Sequence, residues 1–342
     1  LKQHTMPDER KSDAAPIIEG LPKGRYIRGA IVASVALGLG YLATFIGADG
    51  SNPDSLFGKQ APANTLYMTV LVAFLVNWIA FIPANYLQTE KFFDLTGSIT
   101  YVSCTIFSLV LGAAPVFDGD GWTFSKRSII QSAFTIVWAV RLGTFLFARI
   151  KKDSKDKRFD EIKINPPRFF AVWTIQGTWV TLTALSVFVV NSYGKSYDEK
   201  DLGVTDYVGY AIWLVGFAIE VVSDKQKGWF AANPANKGKW IDEGLWFYSR
   251  HPNYFGEITL WLGQFIAASA TFTNAQWGCA ISPVFVYCLL MFLSGVPMLE
   301  SRGLEKWGDD PQYLLYLKNT SVLVILPKGK ATNVETPLVL SG

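Results

Sequence analysis

Eight long apolar runs limit what this chain can become more than any other feature of it. They lie near residues 27–46, 65–87, 97–117, 128–150, 169–192, 204–222, 256–274 and 280–300. A bilayer core about 30 Å thick is crossed by roughly 20 apolar residues in a helix. Runs of this length predict an all-α, polytopic membrane helix bundle of about eight transmembrane helices. Composition agrees: 50% of the 342 residues are hydrophobic and only 17% charged, too apolar and charge-poor for an ordinary soluble domain.

The connections carry a directional charge signal. Lys151, Lys152, Lys155, Lys157, Arg158, Lys163 and Arg168 fall in one connection, and Lys225, Lys227, Lys237, Lys239 and Arg250 in another. The intervening loops hold only Lys59, then Lys126 and Arg127, then Lys195 and Lys200. Cytoplasmic-type loops are the ones enriched in Lys and Arg, so segments 151–168 and 223–255 are expected on one inner face with both termini. The domain reading is a polar segment 1–26, a membrane domain 27–327 and a tail 328–342. The net charge is +3 and the basic residues form no stripe, which leaves no electrostatic footprint for nucleic acid. Cys104, Cys279 and Cys288 share no metal-ligand spacing and read as packing residues. The residues before the first apolar run are not themselves a signal peptide, because no apolar core and cleavage pattern precede that run.

Chemistry concentrates where charge enters the apolar runs. Arg141 lies well inside the fourth run, where a charge costs a few kcal/mol and needs a wet cavity or an anionic partner. Glu220 and Asp224 stand four apart, which puts both carboxylates on one helical face. They suit hydrogen bonds from ribose hydroxyls or an amide, or pairing with Lys225 and Lys227. The stretch "YSRHPNYFGE" gathers Tyr248, Arg250, His251, Asn253, Tyr254 and Glu257 at the mouth of the seventh run. Pro252 suits the first turn of a helix, whose free N–H groups and dipole favour an anion. Arg250 adds a forked donor for phosphate or carboxylate. An interfacial cap with aromatic anchors explains Trp246, Tyr248 and Tyr254, but not a glutamate entering the membrane.

Together with "NPANKGKWIDEGLW", "KFFDLTGSITY", "VRLGTFLFARIKKDSKDKRFDEIK", "VSDKQ", "SGVPMLE" and "GDDPQYLLYLKNTSVLVILP", this stretch resembles the steroid 5-alpha-reductase-like membrane proteins, DUF1295, over roughly residues 90–327. The better-understood reductases of that group use NADPH to reduce a carbon–carbon double bond in a lipid. The resemblance implies a cofactor site with Asp224 at the adenosine and ribose end, Asn253 and Glu257 near the nicotinamide, and Arg141 from the fourth segment. Arg302 corresponds loosely to a further cofactor-contacting arginine. Arg250 and His251 of the same motif complete the candidate cofactor-binding set. Reduction needs a general acid, and Glu257, Tyr254 and Tyr101 are the candidate donors. A carboxyl group in an apolar site can stay protonated for that role.

Two departures stand against the match. Ala231 follows Phe230 where the family usually has Lys or Arg, and Gly228 occupies the other candidate position for an arginine that holds phosphate. Trp138 stands three residues before Arg141, where the reductases place a proton-donating tyrosine. The expectation is therefore NADPH-dependent reduction of a steroid-like or other lipid substrate, set against a non-catalytic subunit that keeps the fold within a membrane-protein complex. Isoprenylcysteine and phospholipid methyltransferases, which bind S-adenosylmethionine, carry a similar "RHPxYxG" element and supply a third reading. The membrane is expected to be the endoplasmic reticulum or an organelle membrane such as the mitochondrial inner membrane, with membrane lipids as surroundings.

Overall fold

The computed structural model describes residues 23–48, 62–114, 121–153, 159–194 and 201–327. Four long helices come first: α1 (Lys23–Gly47), α2 (Pro62–Tyr86), α3 (Phe93–Ala113) and α4 (Lys126–Asp153). Next, α5 (Pro166–Thr183) and α6 (Leu185–Ser192) form one path bent by 62°. A hairpin of α7 (Val204–Ala232) and α8 (Pro252–Ser269) follows. The chain finishes with α9 (Ile281–Cys288), which runs into a π turn at Leu289–Leu293, then α10 (Val296–Trp307) and α11 (Pro311–Asn319). The described residues contain no strand beyond a lone parallel bridge between Ser249 and Ser321.

Sequence punctuation sets the helix ends. Asn165 Oδ1 accepts from the Arg168 backbone N–H at 3.3 Å, and Pro166 and Pro167 fill the first turn of α5, where a missing N–H costs nothing. Pro252 opens α8 in the same way. Asp310 caps α11 through the Gln312 N–H at 2.8 Å, with Pro311 at the first helical position.

The polytopic bundle expected from the sequence is present, and all eight apolar runs recur as helix. Among the described residues, six segments are long and apolar enough to cross a membrane alone: Ile27–Gly47, Ala63–Tyr86, Phe93–Ala113, Lys126–Ala148, Val204–Ala232 and Asn274–Trp307. The α5–α6 path makes a seventh if its bent halves count as one span. The remaining run, α8, has 18 residues and carries Asn253, Glu257 and Gln264, so it is too short and polar to count independently. It is instead protected by its neighbours. Large apolar side chains such as Ile31, Val35, Ile79, Leu214 and Val215 point outward, as they do on a lipid-facing surface. The chain is an integral membrane protein.

Close packing of α7 and α8 depends on missing side chains. Gly209 and Gly216 on α7 oppose Gly263 and Gly256 on α8, at a spacing of seven residues on each helix. A Cβ at Gly256 would lie 2.6 Å from the Gly216 carbonyl oxygen and 2.6 Å from the Glu220 nitrogen. Small residues let membrane helices approach backbone to backbone, where dispersion replaces the hydrophobic effect as the attraction. This approach carries the first turn of α8 up against Asp224 near the end of α7.

Ion pairs mark the two ends of the bundle. At the end predicted to be inner, Lys163 from the 151–168 connection reaches Glu90 from the α2–α3 connection at 2.8 Å. At the opposite end, Arg127 of α4 holds Asp206 of α7 through two bonds of 2.6 and 2.8 Å, both side chains buried. The segment before α8 is tied to the C-terminal region by Arg250 N–H to Ser321 O at 2.8 Å, Ser249 Oγ to Leu323 O at 2.7 Å and Tyr316 Oη to Trp246 O at 3.1 Å.

Candidate functional site

The inner half of α4 meets α7 through charge. Arg141 forms ion pairs with both Glu220 and Asp224, one carboxylate to each terminal nitrogen. The spacing of four residues puts these acids on one face of α7, as the sequence indicates. One turn before Arg141, Trp138 is fully buried and donates its indole N–H to Glu220 Oε2 at 3.1 Å. The side chain of Arg141 is 19% exposed, against 4% for Glu220 and 9% for Asp224. A guanidinium so placed has the anionic partner that membrane burial demands. Lys225 and Lys227 do not neutralise these acids in the structure: Lys225 is exposed, and the Lys227 ammonium sits 4.5 Å from the Trp246 ring centroid.

Helix α8 completes the network. Asn253, in its first turn, donates from Nδ2 to Asp224 Oδ1 at 3.3 Å, while its own Oδ1 is buried with no hydrogen-bond partner. Glu257 lies one turn further along, half-buried, within electrostatic reach of Asp224, Arg141 and Glu220. Two carboxylates are thus paired with one guanidinium, with Glu257 a turn beyond Asn253 on α8. Deeper in the bundle, Tyr101 is fully buried, packed edge-on against Trp138 at 5.0 Å and Trp179 at 5.1 Å and stacked near Trp261 at 5.9 Å. Its hydroxyl makes no hydrogen bond, and Thr183 and Glu257 are among its polar neighbours. The result is a polar floor at the inner end under an aromatic wall.

A second cluster sits at the N-terminus of α8. Arg250 Nη1 donates to Glu300 Oε2 at 2.7 Å, and His251 Nε2 lies 2.8 Å from Glu300 Oε1. Burial holds the His251 imidazole below its ordinary pKa, against the opposing pull of the Glu300 hydrogen bond. Tyr254 stacks on His251 at 5.5 Å and an interplanar angle of 10°. Arg302 is exposed on α10 and forms no ion pair among the described residues.

The structure therefore brings Arg141, Asp224, Asn253 and Glu257 together, with Tyr101 beside Glu257. Arg250 and His251 are committed to Glu300 outside that network, Tyr254 lies on the His251 side, and Arg302 stands apart on the surface. The roles of Glu300 and Trp138 were not anticipated. Glu300 closes the "SGVPMLE" stretch at the edge of an apolar run, where a carboxylate needs a cation; that was the available signal. Trp138 fills the tyrosine position with another hydrogen-bond donor, a substitution that looks like loss in the sequence and acts as a contact in space. No cluster of His, Cys, Asp and Glu fit to hold a metal ion occurs among the described residues.

Comparison with known proteins gives one family match and two partial relatives. The family model described as a protein of unknown function, DUF1295, matches residues 80–320. An uncharacterized protein of Schizosaccharomyces pombe is 22% identical over 233 residues, covering 59% of this chain and 64% of that protein. A probable O-methyltransferase of Ustilaginoidea virens is 34% identical over 79 residues, 23% of this chain and 26% of that protein. The chain thus spans less than two thirds of either relative. No solved structure matches.

Proposed function

Given that the chain belongs to the DUF1295 family, we propose that it reduces a carbon–carbon double bond in a steroid-like or other lipid within the membrane, with NADPH as reductant. One observation carries the reading: the network of Arg141, Glu220, Asp224 and Asn253, with Glu257 behind it, lies at the inner end of the bundle and abuts an aromatic interior. Polar groups for a cofactor and an aromatic interior then meet near Glu257.

Because Asn253 touches Asp224 at 3.3 Å, the two cannot serve opposite ends of a dinucleotide, so Asp224 is assigned with Asn253 to the nicotinamide and ribose end and not to the adenosine. The orphaned Asn253 Oδ1 accepts from a carboxamide N–H, and Asp224, held in place by Arg141, accepts from a hydroxyl. The phosphates need other partners, because Arg141 and Arg250 are already paired. Exposed Lys225, next to Asp224 in the chain, supplies such a charge. When bound, the cofactor supplies a hydride to one carbon of the double bond. Glu257 gives a proton to the other, so that the alkene becomes a saturated pair of carbons, and it regains a proton from the inner solvent by way of the Asp224–Asn253 side.

A second reading, S-adenosylmethionine-dependent methyl transfer, is favoured by the local match to the probable O-methyltransferase. A third, a non-catalytic subunit of a membrane complex, is motivated by Ala231, which is exposed at the end of α7 and brings no charge to the phosphates. Titration of the purified chain in nanodiscs, followed by tryptophan fluorescence, separates them. NADPH is expected to bind more tightly than S-adenosylmethionine, with Asn253→Ala weakening it by about 1–3 kcal/mol. Tight S-adenosylmethionine binding with no response to NADPH would establish the methyltransferase instead, and no response to either would favour the subunit.

A further inference from the structure

Away from this site, α1 and α5 meet the connection before α5 around a cavity of about 780 Å³. The contact that forms its floor is unusually close: a Cβ on Gly29 would lie 2.8 Å from the Pro167 carbonyl carbon and oxygen. The residue before Gly29 and the residue after Pro167 are both arginines, and Arg28 and Arg168 both line the cavity. Both are exposed, and neither makes an ion pair or side-chain hydrogen bond among the described residues. Among the described residues Glu161 is the one acid in the lining, against the two arginines. Val32, Val172 and Ile175 supply an apolar wall below the arginines, with Val32 and Ile175 themselves exposed.

We propose that this cavity binds an anionic phospholipid, its phosphate held by Arg28 and Arg168 and an acyl chain lying along Val32, Val172 and Ile175. Charge and position select the occupant. Two guanidinium groups are fork-shaped donors that match phosphate oxygens. They stand at the basic end of the bundle, where pockets between membrane helices meet headgroups. A free nucleotide is the poorer fit. The Asn165 side chain is already spent capping α5, leaving few uncharged polar groups to read a base, whereas the wall continues into the lipid-facing surface of α1. The site is separate from the Arg141 network and does not depend on the reductase reading.

The test uses the full chain in detergent, with native mass spectrometry and thermal unfolding read in parallel. Phosphatidylglycerol is expected to remain bound and to raise Tm, whereas phosphatidylcholine does so far less. Arg28→Gln with Arg168→Gln should weaken phosphatidylglycerol binding about twenty-five-fold, the product of two surface arginines contributing about fivefold each. Val32→Trp, which keeps both charges and fills the wall, should also reduce binding, while Lys318→Gln, at an exposed position on α11, should not. Should the double variant misfold, Val32→Trp still decides the matter. The proposal fails if phosphatidylglycerol does not bind, if both lipids bind equally, if inorganic phosphate gives the same protection, or if neither substitution alters retention.

Discussion

Substituting alanine for glycine at two positions of the α7–α8 hairpin should move stability in opposite directions. At Gly256 the new Cβ would meet backbone atoms: the Gly216 carbonyl oxygen and the Glu220 nitrogen at 2.6 Å, and the Glu220 Cα at 3.0 Å. Ordinary contact begins at 3.4 Å, so the helices must part by roughly 0.8 Å, the difference between 3.4 and 2.6. Backbone cannot rotate away as a side chain can, and overpacking of this kind costs about 1–3 kcal/mol. The same separation lengthens the 3.3 Å bond from Asn253 to Asp224, so Gly256→Ala should lower both Tm and nucleotide affinity. At Gly228, in the last part of α7, nothing lies within 4 Å of the added Cβ. There alanine restricts the unfolded chain and stabilises by about 0.4–1 kcal/mol. Thermal unfolding of both variants in the same detergent is the assay. Equal shifts, or a Gly256→Ala protein as stable as the parent, would refute the account of how the hairpin packs.

At the other end of the bundle, Asp206→Ala should cost about 3–5 kcal/mol, because it strands the buried Arg127 charge. Asp206→Leu combined with Arg127→Met should recover most of that loss in the same unfolding measurement. His251 gives a pH dependence. Its folded pKa is lowered by burial, so its contribution is fully present above the unfolded value of about 6.5 and declines as pH falls below it. Tm should therefore drop between pH 7.5 and pH 5, less steeply in His251→Gln. A flat profile for the parent chain would show that Glu300 compensates the imidazole completely.

Helices were legible in the sequence because membrane burial writes them as uninterrupted apolar runs, and Pro252 marks a start that the structure confirms. Their number as independent spans was less legible. Nothing in the run 169–192 announces the bend after Thr183, and α8 owes its place to glycine contacts with α7 that hydropathy does not record. In the site, Arg141, Glu220 and Asp224 stood out because each is costly in lipid without a partner. The pairing itself could not be read. Arg250 looked like a phosphate donor by its place before α8, yet a carboxylate 50 residues later occupies it. Trp138 read only as the loss of a proton donor, whereas its indole N–H holds Glu220 by a hydrogen bond, a structural contact that sequence alone does not show.

If Glu257 and the Arg141–Asp224–Asn253 network form a site for reduction of a membrane lipid by a nicotinamide nucleotide, the transferred hydride must be found in the lipid. The most direct measurement is transfer of deuterium. Purified protein in native lipid, supplied with NADPH deuterated at the hydride position, is followed by mass spectrometry of the extracted lipids. The account predicts a lipid that gains one deuterium and one proton across a former double bond. In Glu257→Gln that product should be lost while NADPH still binds. Nucleotide binding with no deuterium in any lipid, or equal labelling by the Glu257→Gln protein, would contradict it.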